Sequence, residues 1–339
     1  MGAIRVARVS LTTADPDRLE RFYRSAFGFE RIGLEAHHDA PFARLAGVAR
    51  AEARSTVLAL GRQVLELAAF DEPGRPYPPG VASNDARFQH FAIVVASMES
   101  AYARLREIAG WAPITGPAPQ RLPASSGGVT AFKFRDPEGH PLELLEFAPT
   151  AAPAAWRAVG QAGQVGLSPR PVAPDRPAAD PSQPAAFCLG IDHSAIVVAD
   201  TARSIEFYVR LGFSVRGRSL NRGLEQQQLD GVPDPTVEVT ALASDTDPPH
   251  LELLCYRSPA TRAAGAPAAW NDALATRLVL ELEAEPLASL ESRLAAAGVR
   301  LEWGASPLDG ATAALRDPDG HALLLRYTCS RSAGRATSL

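Results

Sequence analysis

The chain has 339 residues, of which 46% are apolar and 21% charged, and a net charge of −4. This is the composition of a globular protein of about two domains, and it offers no basic face for nucleic acid. Three scattered cysteines, Cys188, Cys255 and Cys329, lack CxxC spacing, which argues against a disulfide framework or a zinc ribbon.

The opening residues, MGAIRVARVSLTT, hold no long apolar segment, and no run of the chain is long enough to cross a membrane. A cytoplasmic location is therefore expected. The first module opens on an alternating strand and passes into VSLTTADPDRLERFYRSAFGF. Here Asp15 suits an N-cap, Pro16 the first helical position and Gly28 the helix end. Leu19, Phe22, Tyr23 and Ala26 fall on one helical face. Three strand-like pieces follow, including EAHHDAPF, where His37 and His38 are candidate acid–base groups, and VLELAAF, which carries Glu66.

The second module starts with FQHFAIVVASMESAYARLREIAG and closes with FRDPEGHPLELLEF. The Asp136-Pro137-Glu138-Gly139 turn joins its last two strands, and His140 is expected to cap that turn. Next comes a Pro/Ala-rich stretch, 149–187, with little periodicity, read as an extended linker, the alternative being an ordered strap over the surface, for which Trp156 and the length speak. A third module repeats the first, since IVVADTARSIEFYVRLGF matches its FY helix. The polar run SLNRGLEQQQLDG, with Asn221, Glu225, Gln226 and Gln228, suits either a solvated edge strand or the lining of a pocket. His250 is expected at a strand entrance. A fourth module repeats the second and closes with LRDPDGHALLLRY, where His321 takes the place of His140.

The order is thus A, B, A′, B′ over about 1–72, 86–148, 188–258 and 274–329, each module a βαβββ unit and the fold class α+β. Such a module covers one sheet face with its helix and leaves the other open until a second module completes it. Residues 1–148 and 188–330 are expected to form two paired-module domains.

Paired βαβββ modules with an HxxIxV opening strand and a DPxGxxxE closing strand resemble the vicinal oxygen chelate superfamily. That superfamily includes glyoxalase I, methylmalonyl-CoA epimerase, extradiol dioxygenases and bleomycin-resistance proteins. The resemblance implies two cups, each with metal-ligand corners on the first and last strands of its modules. The first-strand corners fall on Arg8, His90, His193 and Arg277, and the last-strand corners on Glu66, Glu143, Glu252 and Leu324. With neighbouring modules paired, the N-terminal cup would hold a divalent metal (Fe, Mn, Zn, Ni or Mg) on Glu66, His90 and Glu143. Glu66, Glu143 and Arg8 would then serve in catalysis. The C-terminal cup would keep only the weaker pair His193 and Glu252. The bland alternative is an Arg8 ion pair with Glu66 or Glu143 in a metal-free cup.

A metal-dependent lyase or isomerase is the expected function, a divalent ion chelating two adjacent substrate oxygens and stabilising an enolate. An extradiol-type dioxygenase and a metal-free small-molecule binding or resistance protein are the alternatives. The expected partner is a small-molecule substrate, with the protein a monomer or homodimer and neither nucleic acid nor membrane involved.

Overall fold

The structure is a computed structural model that describes residues 4–37, 53–157, 187–244, 248–263, 265–283, 287–296, 298–299, 301–303 and 312–328. His38 and the greater part of the linker lie outside the described residues, as does the side chain of His37.

Module A contains β1 (Ile4–Thr12), α1 (Pro16–Phe27), β2 (Glu30–His37), β3 (Ala53–Leu60) and β4 (Gln63–Phe70). The sequence signals for α1 act as anticipated. Asp15 accepts a hydrogen bond from the Arg18 N–H at 2.9 Å, and Gly28 ends the helix in the left-handed region at φ 76°, where a Cβ is costly. Leu19, Phe22, Tyr23 and Ala26 are all buried.

Module B contains β5 (Gln89–Val95), α2 (Met98–Glu107), the short β6 (Ala112–Pro113) and β7 (Gln120–Arg121), then β8 (Thr130–Arg135) and β9 (Pro141–Glu146). Module A′ contains β10 (Cys188–Val197), α3 (Thr201–Leu211), β11 (Ser214–Arg222), α4 (Leu224–Asp230), β12 (Thr236–Ala243) and β13 (His250–Ser258). Module B′ contains β14 (Arg277–Glu283), α5 (Leu287–Ala296), β15 (Glu302–Trp303), β16 (Thr312–Arg316) and β17 (Ala322–Thr328). The polar run after Leu220 is thus not all strand. It turns at Gly223 into α4, an element that interrupts the simple βαβββ order.

Two cups form, but their membership crosses the halves. One sheet runs β15-β16-β17-β14-β1-β4-β3-β2 and joins module A to B′. The other runs β11-β12-β13-β10-β5-β9-β8-β6 and joins B to A′. Opening strands meet antiparallel at both centres, β1 with β14 and β5 with β10. Segments 1–148 and 188–330 therefore do not each close a cup, which corrects the expected domain pairing. The four modules are near-copies, so local pattern does not say which open sheet edges meet.

Neighbouring modules are joined through their helices and turns instead. Helix α1 packs on α2, and α3 packs on α5. The Tyr23 hydroxyl donates to Asp136 Oδ2 at 2.9 Å, and Tyr208 donates to Asp317 Oδ2 at 3.1 Å. Asp136 Oδ1 also accepts the Glu138 and His140 backbone N–H groups, and Asp317 does the same for Asp319 and His321. His140 reaches back to the Thr12 carbonyl, and His321 to that of Val197, each at 2.9 Å. The twin DPxG turns are structural clasps between modules, which is why both copies keep them.

The His140 ring faces only acceptors, Asp136 Oδ2 at Nδ1 and the Thr12 carbonyl at Nε2, so it donates twice and is cationic. Burial opposes that charge, but the Asp136 carboxylate outweighs it and the His140 pKa is raised. Its contribution to stability is full below the unfolded value and is lost as pH rises through the raised folded value.

Two outcomes follow from this architecture. A chain cut within 158–186 should migrate as one nicked particle in gel filtration and separate only on unfolding. Release of two independently folded pieces contradicts the crossed sheets. In urea titrations, His140→Gln should remove a part of the stability that the parent loses above the ordinary histidine range. Parallel pH curves for the two proteins contradict the clasp.

Candidate metal centre

The central strands of the second sheet assemble four corners. In the β5–β10 ladder His90 lies opposite Ala195, and His193 opposite Ala92. Parallel strand β9 places Glu143 beside Ala92, and β13 places Glu252 beside Ala195. Strand alternation sends Leu142 and Leu144 into the core behind the sheet, and Glu143 with Leu145 to the cup face. A β-bulge between Ile191 and His193 interrupts that alternation, so Asp192 and His193 both line the cup.

His90 Nε2 lies 3.0 Å from Glu143 Oε2. His193 Nε2 lies 3.7 Å from Glu143 Oε2 and 3.6 Å from Glu252 Oε2. This nitrogen is buried and has no hydrogen-bond partner among the described residues. One ligand atom from each of His90, Glu143 and His193 falls within 4.8 Å of the others. The ring nitrogen Nδ1 of His193 donates to Asp192 Oδ2 at 3.0 Å. Of the four corners, Glu252 is the open one, with its side chain 23% exposed against 8% for Glu143.

Burial by itself raises the Glu143 carboxyl, but contacts with His193 and His90 and the charge of Lys133 hold it far below the carboxylate range. Glu252 behaves alike: burial raises it, yet His193 and His250 bring it to about 2. Burial lowers the His193 imidazole, but Glu252, Asp192 and Glu143 outweigh it, and its pKa is raised well above the ordinary value. His90, for which burial dominates, is lowered. Two imidazoles and two carboxylates around an unpartnered nitrogen make a donor set that fits a divalent cation.

The corners open onto a cavity of about 500 Å³. Leu122, Val129, Val237 and Val239 form apolar wall, while Asn221, Gln226, His250 and Lys133 supply polar groups. Among the polar candidates of the 219–231 run, Asn221 and Gln226 reach the cavity, whereas Glu225 and Gln228 are not part of its lining. His250, expected at a strand entrance, does begin β13, but its ring lies in the cavity 3.7 Å from Glu252 Oε1.

The other cup has the same register with different chemistry. Ser10 pairs with Arg277 and with Glu66, and Val279 pairs with Leu324. Arg8 and Arg277 thus stand where His193 and His90 stand, Glu66 where Glu252 stands, and Leu324 where Glu143 stands. The Arg277 guanidinium is fully buried and donates to Ser10 Oγ, Thr12 Oγ1 and the Trp270 carbonyl. Burial lowers its pKa to about 10. Leu324 belongs to an apolar cluster with Phe70, Trp270 and Val279.

The expected ligand set is therefore divided. Glu66 and Arg8 lie 4.0 Å apart, on a different sheet from His90 and Glu143, so they do not join a metal site or its catalysis there. The bland alternative, an Arg8–Glu66 pair, describes that corner. His193 and Glu252, expected as a weak pair in a separate cup, line the same cavity as His90 and Glu143. Sequence reasoning missed Lys133, whose ammonium is 2.7 Å from Asp230 Oδ1 in a buried ion pair. A lysine between Phe132 and Phe134 in an apolar strand was the available signal, since alternation puts it on the face of Glu143, its cross-strand partner.

Comparison with known proteins agrees with this frame. The family model of the Glyoxalase/Bleomycin resistance protein/Dioxygenase superfamily matches residues 5–144 and 190–325. A search of curated proteins finds no match. Among solved structures, glyoxalase I from Zea mays superposes with a TM-score of 0.57 at 16% identity, over 96% of this chain and 92% of that one. A candidate dioxygenase from Bacillus subtilis superposes with a TM-score of 0.52 at 9% identity, over 96% and 86%. These likenesses establish the fold, and among the described residues no helix is long and apolar enough to cross a membrane. With both stretches of the family model matched and four modules closed into two cups, the chain belongs to the glyoxalase/bleomycin resistance protein/dioxygenase superfamily.

Proposed function

We propose that the protein is a divalent-metal-dependent enzyme of the lyase or isomerase kind, acting on a small oxygenated substrate. The observation that carries this reading is the meeting of His90, Glu143, His193 and Glu252 in one cavity, with His193 Nε2 buried and unpartnered. His90, Glu143 and His193 would hold a divalent cation, which would supply Lewis-acid chemistry for negative charge developing on substrate oxygens.

The side chains divide the remaining work. Glu143 is tied to His90 and opposed by Lys133, so it is suited to holding. Glu252 is the more exposed carboxylate, its nearest imidazoles beyond hydrogen-bonding distance. We assign it the proton transfer, taking a proton from the carbon beside a carbonyl and returning it to a neighbouring atom. Asp230 keeps Lys133 charged despite burial, its pKa raised, so a fixed positive charge faces the reacting oxygens. The apolar wall limits water at the reacting carbon.

A second reading has one observation in its favour. His90, His193 and Glu143 taken alone form a two-histidine, one-carboxylate set, the donor pattern of non-haem iron oxygenases. Glu252 separates the two readings, because the lyase or isomerase reading needs it to carry the proton and the oxygenase reading does not.

Metal analysis after extensive dialysis should find about one divalent ion per chain in the parent. His90→Ala and Glu143→Gln should lose it with circular dichroism unchanged, and Glu66→Gln should keep it. Equal metal in all four proteins contradicts the site. The chemistry is checked by proton NMR in deuterated water with a panel of small α-hydroxycarbonyl compounds. The parent should exchange a carbon-bound proton, and Glu252→Gln should lose at least about a hundredfold of that rate. Iron as the bound metal, with oxygen uptake on catechols that survives Glu252→Gln, favours the oxygenase reading.

A further inference from the structure

The start of the linker brings Trp156 to the site. Past β9 the chain makes a helical turn over 154–157, and Trp156 is 4% exposed. Its indole N–H donates to Asp192 Oδ1, the carboxylate whose other oxygen takes the His193 Nδ1 proton. Gly190 makes room for the indole. A Cβ there would stand 2.8 Å from the Trp156 ring and 2.2 Å from Gln63 Oε1. Pro153, in the same strap, lines the cavity.

We propose that Trp156 is a positioning residue for the metal site: it fixes the Asp192 carboxylate, which in turn orients His193 and keeps its Nε2 aimed at Glu143 and Glu252. The proposal rests on the metal reading given above. The physical basis is specific. A carboxylate bound at both oxygens cannot swing, and a histidine that donates from Nδ1 to it must present Nε2 as the ligand nitrogen. Asp192 also lies 3.8 Å from His250 Nδ1, and without the indole its free oxygen is available to draw toward that ring and away from His193. The same bonds explain why Asp192, His193 and His250, close enough to form a second cation cluster, act as an orienting group: both Asp192 oxygens are already accepting protons.

The test uses the full chain and zinc(II) as the probe, with affinity read by competition against a chromophoric chelator. Trp156→Phe keeps the ring packing and removes the N–H donor. It should weaken zinc binding about tenfold or more with circular dichroism unchanged. In an Asp192→Asn background the same change should cost no more than about twofold, because the path it acts through is already broken. Affinity within twofold of the parent overturns the proposal. So does an equal loss in both backgrounds, which would mark Trp156 as a packing anchor only. If Trp156→Phe does not fold, the indole N–H resonance of the parent decides. It should lie downfield and shift on zinc addition, and a resonance indifferent to saturating zinc overturns the proposal. A parent that binds no divalent metal at all removes the metal reading and this inference with it. A parent that binds tightly while Trp156→Phe is unaffected removes this inference alone.

Discussion

The antiparallel pairing of opening strands across the two halves is the constraint on which the rest depends. β5 lies against β10, and β1 against β14, so each cup draws one module from each half. This decides which corners share a centre. Paired within halves, the chain would distribute two histidines and three glutamates as one mixed set and one weak pair. Paired across halves, it places both histidines and two glutamates in one cup and both arginines in the other.

The second cup is a control built into the same molecule. Its ladder register matches the other cup at all four corners, yet Leu324 replaces a carboxylate and two guanidiniums replace imidazoles. A metal cation and two arginines are incompatible at one centre, because the guanidinium keeps its proton at any ordinary pH. Burial of Arg277 is tolerated because its donors meet hydroxyls, a carbonyl and the face of Phe70. One cup is thus an arginine-tied, apolar packing unit, while the other holds its acids around a cavity. The DPxG turns serve neither centre directly. They clasp the helices of neighbouring modules, and their retention in both B-type modules follows from that shared duty.

Charge balance explains the polar groups around the cavity. Glu143, Asp192 and Asp230 are buried and Glu252 half-buried, so four carboxylates crowd the neighbourhood of the cavity. Buried acids at this density need cations. Lys133 answers Asp230 directly, and the charges of Glu252, Asp192 and Glu143 raise the His193 pKa against its burial.

The repeat order, the α1 face and caps and the alternating strands were legible in the sequence, because each depends on periodicity or turn chemistry within one module, whereas the corner positions came only from the family resemblance. Tertiary structure alone decided the module partners, since four near-identical open edges have no local preference among themselves. With partners exchanged, Glu66 and Arg8 left the site, and His193 and Glu252 entered it. It also decided what spans distant segments: the bulge that turns Asp192 and His193 the same way, the reach of Trp156 to Asp192, and the Lys133–Asp230 pair. Periodicity describes which face a residue takes within its own element, whereas a site made from four strands of two distant modules exists only once their sheets have joined.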